Sequence, residues 1–116
     1  MLRLVMKFGG TSVGSVERIN DVANIVRNEV AQGNEVVVVL SAMAGETDRL
    51  VNLARGISDS LSPAEYDTVV SSGEQVSVGL LSAALNNMDI NARSYMAWQI
   101  PIVTNANHKS SRIEAI

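Results

Sequence analysis

The chain contains no cysteine, which removes disulfides, thiolate metal sites, iron–sulfur clusters and cysteine nucleophiles together. One histidine, His108, stands alone, so no metal site built on several histidines can form. Four aromatic rings among 116 residues are too few for a base-stacking platform or a membrane aromatic belt. No apolar run approaches the roughly 20 residues that cross a bilayer. The apolar part of the amino terminus is cut at Gly9-Gly10, short of a signal peptide. Nine Lys and Arg against twelve Asp and Glu leave a net charge of −3, without the basic footprint of nucleic-acid binding. Neither nucleic acid nor membrane is supported as a partner, no protein-held metal is expected, and the cytoplasm is the expected compartment.

What is present is core-forming material. Hydrophobic residues make up 47% and charged residues 18%, a balance that argues against disorder. The length, 116 residues, is that of one domain, able to bury about 65% of the surface its unfolded chain exposes.

Leu2–Phe8 reads as a short strand that stops at Gly9-Gly10. Ser15 is a good N-cap, and Val16, Ile19, Val22, Ala23, Val26 and Val30 then fall at steps of three and four, one stripe along a helix. Gly33 is the expected stop. The run Glu35-Val-Val-Val-Val-Leu40 suits a parallel strand covered on both faces. The first 40 residues thus predict β–loop–α–β. A loop over Ser41–Asp48 precedes a helix marked by Leu50, Leu53, Ala54 and Ile57. Ser62-Pro63-Ala64-Glu65 has the form of a capping box with proline at the first helical position. That third helix meets a weak point at Ser71-Ser72-Gly73 and resumes with Val76, Leu80, Leu81, Ala84 and Leu85. Asn87-Met88-Asp89 predicts a turn. Ile90–Tyr95 and Ile100–Thr104 predict short strands, with Pro101 favouring an edge. The apolar end Arg112–Ile116 completes no element, so the chain is expected to be part of a longer domain.

Three clusters carry candidate chemistry. In Lys7-Phe8-Gly9-Gly10-Thr11-Ser12-Val13-Gly14 a strand ends, glycines permit close backbone approach, and a helix N-terminus follows, an arrangement suited to a phosphate. Lys7 would add a cation. A βα turn that merely needs glycines explains the same residues equally well, and the pattern is neither a Walker A loop nor a dinucleotide fingerprint. Ser41, Gly45, Thr47 and Asp48 follow the second strand and should share a crevice with the first loop at the strands' carboxyl ends. Taken alone, Thr47 and Asp48 read better as helix caps. Ser71-Ser72-Gly73-Glu74 interrupts an apolar helix, a local fault of the kind found at functional sites, and Glu74 offers a carboxylate to an ammonium group. Its bland alternative is an exposed acid at a helix start. His108-Lys109 reads as a solvated loop.

Together these segments resemble the aspartate kinase family. Lys7–Gly14 is similar to its amino-terminal signature. Val39-Leu-Ser-Ala-Met-Ala-Gly-Glu-Thr-Asp48 is similar to its second glycine-containing loop, Ser71-Ser-Gly-Glu-Gln-Val76 to its Ser-x-Gly-Glu element, and Thr104–Ile113 to the stretch that follows. Ser110-Ser111 departs from the Lys-Ala pair expected before Arg112. The resemblance implies the amino-acid-kinase fold, an α/β/α three-layer sandwich with a mainly parallel sheet. Residues 1–116 would then be the amino-terminal portion of one such domain, with the carboxy-terminal half and regulatory ACT domains outside this chain. It implies transfer of the ATP γ-phosphoryl group to the β-carboxylate of L-aspartate, the first step toward lysine, threonine and methionine. Mg²⁺ would be held mainly by the nucleotide phosphates. It also implies a homo-oligomer.

By the same resemblance, Lys7 is the catalytic cation. Lys7, Phe8, Gly9, Gly10 and Ser41 bind the phosphates, and Thr11, Thr47 and Glu74 bind aspartate. Another amino-acid kinase of the same fold, or a phosphate-binding module without turnover, are the alternatives. The 116-residue chain by itself is expected to be inactive, to expose an apolar sheet edge or face, and to associate through it.

Overall fold

In the computed structural model, which describes residues 1–116, strands β1 (Arg3–Phe8) and β2 (Glu35–Leu40) pair in parallel. The register sets Arg3 opposite Glu35 and Phe8 opposite Leu40. Between them runs helix α1 (Val16–Ala31). Ser15 caps it as expected, its Oγ accepting the Arg18 N–H at 3.2 Å. Gly33 ends it in the left-handed region, φ +85°, where a side chain would be strained. Asn34 then accepts the Leu2 N–H and donates to Glu29, tying the start of β1 to the end of α1.

The β–α–β expectation holds, and three more helices follow. Helix α2 (Glu46–Ile57) starts earlier than the apolar series suggests. Its N-cap is Gly45 at φ +80°, so Thr47 and Asp48 lie inside the first turn and cap nothing. Helix α3 (Pro63–Val70) does start with proline, but Ser62 makes no capping hydrogen bond. Ser62 is exposed, so water serves both its hydroxyl and the first-turn amides, and the box gains little by closing. The weakness at Ser71-Ser72-Gly73 is a true break: α3 stops and helix α4 (Ser72–Asn86) begins.

Helices α1 and α4 pack on each other and on β2. The core is the layer between them: Val13, Ile19, Val22, Ala23, Val26, Leu40, Leu81 and Leu85. Phe8, Val36 and Val38 point into it from the sheet. Alternate residues face the other way, and there Val5 is 71% exposed, Val37 50% and Val39 46%. The expectation that β2 is covered on both faces is thus corrected. These residues supply helices for one face only, and the bare apolar face expected of a partial domain is present.

The predicted strand at Ile90–Tyr95 is not one. Ile90, Ala92 and Ser94 are half-buried while Asn91, Arg93 and Tyr95 are exposed, which is the alternation of a strand. It lacks a hydrogen-bonded neighbour, and a ladder needs two members. Of Ile100–Thr104 only β3 (Val103–Thr104) forms, paired antiparallel with β4 (Ile113–Ala115). This terminal hairpin is latched to α3, with His108 Nδ1 2.7 Å from Asp67 Oδ2 and the Lys109 ammonium 4.3 Å from the Tyr66 ring centre. The His108-Lys109 loop is therefore a docking contact and not simply solvated.

The molecule measures 49 × 33 × 18 Å with a radius of gyration of 15.9 Å. A chain of this length packed as a compact ball would give about 13 Å. The thin dimension suits a sheet with helices on one side.

Candidate functional site

The parallel pairing of β1 and β2 puts the carboxyl ends of both strands together, so the Lys7–Gly10 and Ser41–Gly45 segments leave the sheet side by side. Their contact is made by backbone groups. The Ser41 N–H donates to the Phe8 carbonyl at 3.1 Å, and the Ala44 N–H donates to the Gly10 carbonyl at 3.1 Å. A Cβ on Gly10 would lie 3.1 Å from the Ala42 carbonyl oxygen, tighter than side chains normally pack, so the approach of the two loops depends on that glycine. Above Gly9 there is open space, with no atom within 4 Å of where a Cβ would stand.

The start of α4 closes the third side. A Cβ on Gly73 would meet Ala42 Cβ at 3.0 Å and Leu50 Cδ1 at 3.3 Å. One turn on, the Ser77 Oγ donates to the Ser41 carbonyl at 2.8 Å. All three segments singled out in the sequence thus converge on residues 41–45, at the carboxyl ends of parallel strands, where α/β sheets bind ligands.

The individual residues are placed as follows. Lys7 is the last exposed residue of β1, on the bare face beside Val39, and makes no ion pair. Phe8 turns the opposite way, its ring packed against the core, so only its backbone belongs to the site. Gly9 and Gly10 lead into a 3₁₀ turn, Gly10–Val13, and not directly into α1. Helix α1 starts at Val16, as its Ser15 N-cap predicts, and the Ser15 hydroxyl already occupies one of its first amides. Thr11 is exposed in the 3₁₀ turn, Ser41 is half-buried, and Thr47 and Glu74 are exposed in the first turns of α2 and α4.

Two contributors escaped the sequence reading, Ala42 and Ser77. The available signal was the spacing of Gly73 and Ser77, small residues four apart on a face that continues with Leu81 and Leu85. No three His, Cys, Asp or Glu side chains gather in a metal-binding group. No helix is long and apolar enough to cross a membrane.

Chemically, the site offers an exposed cation, open backbone at Gly9, hydroxyls at Thr11, Ser41 and Thr47, and a carboxylate at Glu74. That inventory suits an anionic group on one side and an ammonium on the other.

Comparison with known proteins gives three findings. The model of the amino acid kinase family matches residues 2–116. An aspartokinase of Rickettsia felis is 47% identical over 119 aligned residues, covering 100% of this chain and 30% of that protein. Among solved structures, aspartate kinase from Synechocystis is 54% identical with a TM-score of 0.72, over 73% of this chain and 15% of that one. E. coli aspartokinase III, in complex with aspartate and ADP, superposes with a TM-score of 0.84 over 98% of this chain and 35% of that one, at 24% identity. The chain spans about a third or less of the length of these proteins.

Proposed function

The chain belongs to the amino acid kinase family, and from that premise we propose that it is the phosphate-loop portion of an aspartate kinase. The observation that carries this reading is the convergence of the Lys7–Gly10 turn, the Ser41–Gly45 loop and the Ser72–Ser77 helix start. In the reaction, a β-carboxylate oxygen of L-aspartate attacks the γ-phosphorus of ATP. The bond to the β,γ-bridging oxygen breaks, and ADP leaves with that electron pair, giving 4-phospho-L-aspartate.

Phosphoryl transfer asks the protein for positioning and charge neutralisation and for no covalent nucleophile. Lys7 supplies the charge, and it is available because no carboxylate of the chain neutralises it. Gly9 and Gly10 let the phosphates approach the backbone, with Ser41 beside them. Thr11, Thr47 and Glu74 hold aspartate, Glu74 facing its ammonium. Mg²⁺ would arrive on the nucleotide, held mainly by its phosphates. The setting is cytoplasmic, and the full protein assembles from identical subunits, a point supported by the family resemblance alone.

A coupled ADP-release assay tests the reading on the protein encoded by the full reading frame. Turnover should need both ATP and aspartate. Lys7→Ala should lower kcat by about 100-fold, the scale of losing one transition-state charge partner, with the aspartate KM little changed. Glu74→Ala should chiefly raise the aspartate KM. The 116-residue chain alone should show no turnover, because half a clamp does not hold donor and acceptor in one geometry. Turnover with a different carboxylate acceptor and none with aspartate would move the protein to another kinase of the fold.

A further inference from the structure

Ser77 is the only polar side chain in the buried interior, with none of its surface exposed. Its hydroxyl has one hydrogen and two carbonyls in range, Ser41 at 2.8 Å and Glu74 at 3.1 Å. A serine within a helix ordinarily turns back to a carbonyl of its own preceding turn. Here the shorter contact is to a residue 36 positions earlier in sequence. Ser41 is then held at both of its backbone polar groups, its N–H by the Phe8 carbonyl and its carbonyl by Ser77. Gly73, one turn before Ser77, lets the helix come close enough for this bond, since a Cβ there would press on Ala42 at 3.0 Å.

We propose that Ser77 is a positioning residue: through its hydrogen bond to the Ser41 carbonyl it sets the Ser41–Gly45 loop against the Gly9-Gly10 turn, and so governs how ATP phosphates are held. The proposal rests on the aspartate-kinase reading for the identity of the nucleotide site. Its physical content is narrower: the Gly73–Ser77 face of α4 acts on the phosphate side of the site. Glu74, on the exposed side of the same turn, serves the other substrate.

Steady-state kinetics of the full-length protein test it. Ser77→Ala should raise the ATP KM by about tenfold, as expected when the carbonyl of half-buried Ser41 loses its donor and the loop its anchor. The aspartate KM should stay within about twofold of wild type, a shift too small to register as a lost hydrogen bond. Gly73→Ala, which pushes on the same loop through Ala42, should give the same asymmetric change. Leu81→Met, farther along the same helix face, should leave both KM values alone.

A fall in melting midpoint or active fraction with both KM values unchanged would make Ser77 purely structural and overturn the proposal. Equal changes in both KM values would overturn it too. If Ser77→Ala does not fold, Gly73→Ala decides by the same criterion. If the wild-type protein shows no aspartate-dependent turnover, the kinase reading fails while this one is still decided by amide hydrogen exchange. Ser77→Ala should then speed exchange at Ala42–Ala44 relative to β2, and unchanged rates there would overturn it.

Discussion

The two faces of the β1–β2 sheet are made by the same strands and live in different surroundings. Leu4, Met6, Phe8, Val36, Val38 and Leu40 lean toward the helices, and Leu40 is buried. Arg3, Val5, Lys7, Glu35, Val37 and Val39 face away, joined only by the Arg3–Glu35 ion pair at 2.7 Å. The sequence of β2 does not distinguish the faces, since four valines in a row suit both. The difference therefore comes from what packs on the strands and is not encoded within them. Lys7, the proposed catalytic cation, lies at the end of the bare face, opposite Val39 and beside the glycine turn.

The sharpest way to break this contrast uses neighbouring residues, Val38 and Val37. At a concentration low enough to keep the chain monomeric, Val38→Asp should destabilise it by about 3–5 kcal/mol, the cost of an unpaired charge in a packed layer. Val37→Asp should cost no more than the lost strand propensity, about 1 kcal/mol. Urea unfolding midpoints give both numbers. Equal losses would mean that the open face is covered in solution and that the contrast does not describe the working molecule.

Lys7 sharpens the comparison differently. Its replacement by alanine should leave the unfolding midpoint of the 116-residue chain nearly unchanged, within about 0.5 kcal/mol, as for an unpaired surface group. On the proposed aspartate-kinase reading, the same change should lower kcat of the full-length protein by about 100-fold. A variant that lost stability and activity together would make Lys7 a structural residue of the open face.

On the covered side, Asn34, just before β2, ties the residue before β1 to the end of α1 through its side chain, accepting from Leu2 at 3.0 Å and donating to Glu29 at 2.9 Å. Asn34→Ala should cost about 1 kcal/mol in the same unfolding measurement. A loss below about 0.3 kcal/mol would show that water replaces both bonds and that β1 is held by its ladder alone.

These contrasts mark what could be read from the residues and what could not. Local signals were reliable where they were complete within a few positions. Ser15, Gly33 and the valine run delimit α1 and β2 with hardly a residue of error. The glycine turn, the second loop and the Gly73-Glu74 break were each visible, as was their adjacency at the carboxyl ends of the strands. Their mode of contact was not, because it depends on Ala42 and Ser77, whose partners lie about 30 positions away in sequence. Ile90–Tyr95 misled for a related reason: alternation belongs to the segment, while strandhood belongs to a pair. The caps at Ser62, Thr47 and Asp48 failed because a single side chain bond competes with water and with a glycine already suited to the turn.

The smallest expected effect lies in the first turn of α2, exposed like the open face but charged where that face is apolar. Glu46 accepts two hydrogen bonds from Arg49, at 2.6 and 3.0 Å. That hydrogen bonding is the main cause holding the Glu46 pKa below the ordinary glutamate range; partial burial opposes it and the guanidinium charge assists. The sign follows from linkage. The unfolded chain, with the higher pKa, takes up a proton first as pH falls, so the pair's contribution is complete above the ordinary glutamate pKa. It fades through the acid range and is gone below the lowered one. Arg49→Gln should therefore reduce stability slightly at neutral pH. The difference from wild type should shrink to nothing in acid, and likewise at high salt, because exposed pairs are screened. Unfolding midpoints of the two proteins across pH measure this directly. A difference that persisted in acid would assign Arg49's role to packing of its aliphatic stem, and this exposed turn would then resemble the covered face more than the open one.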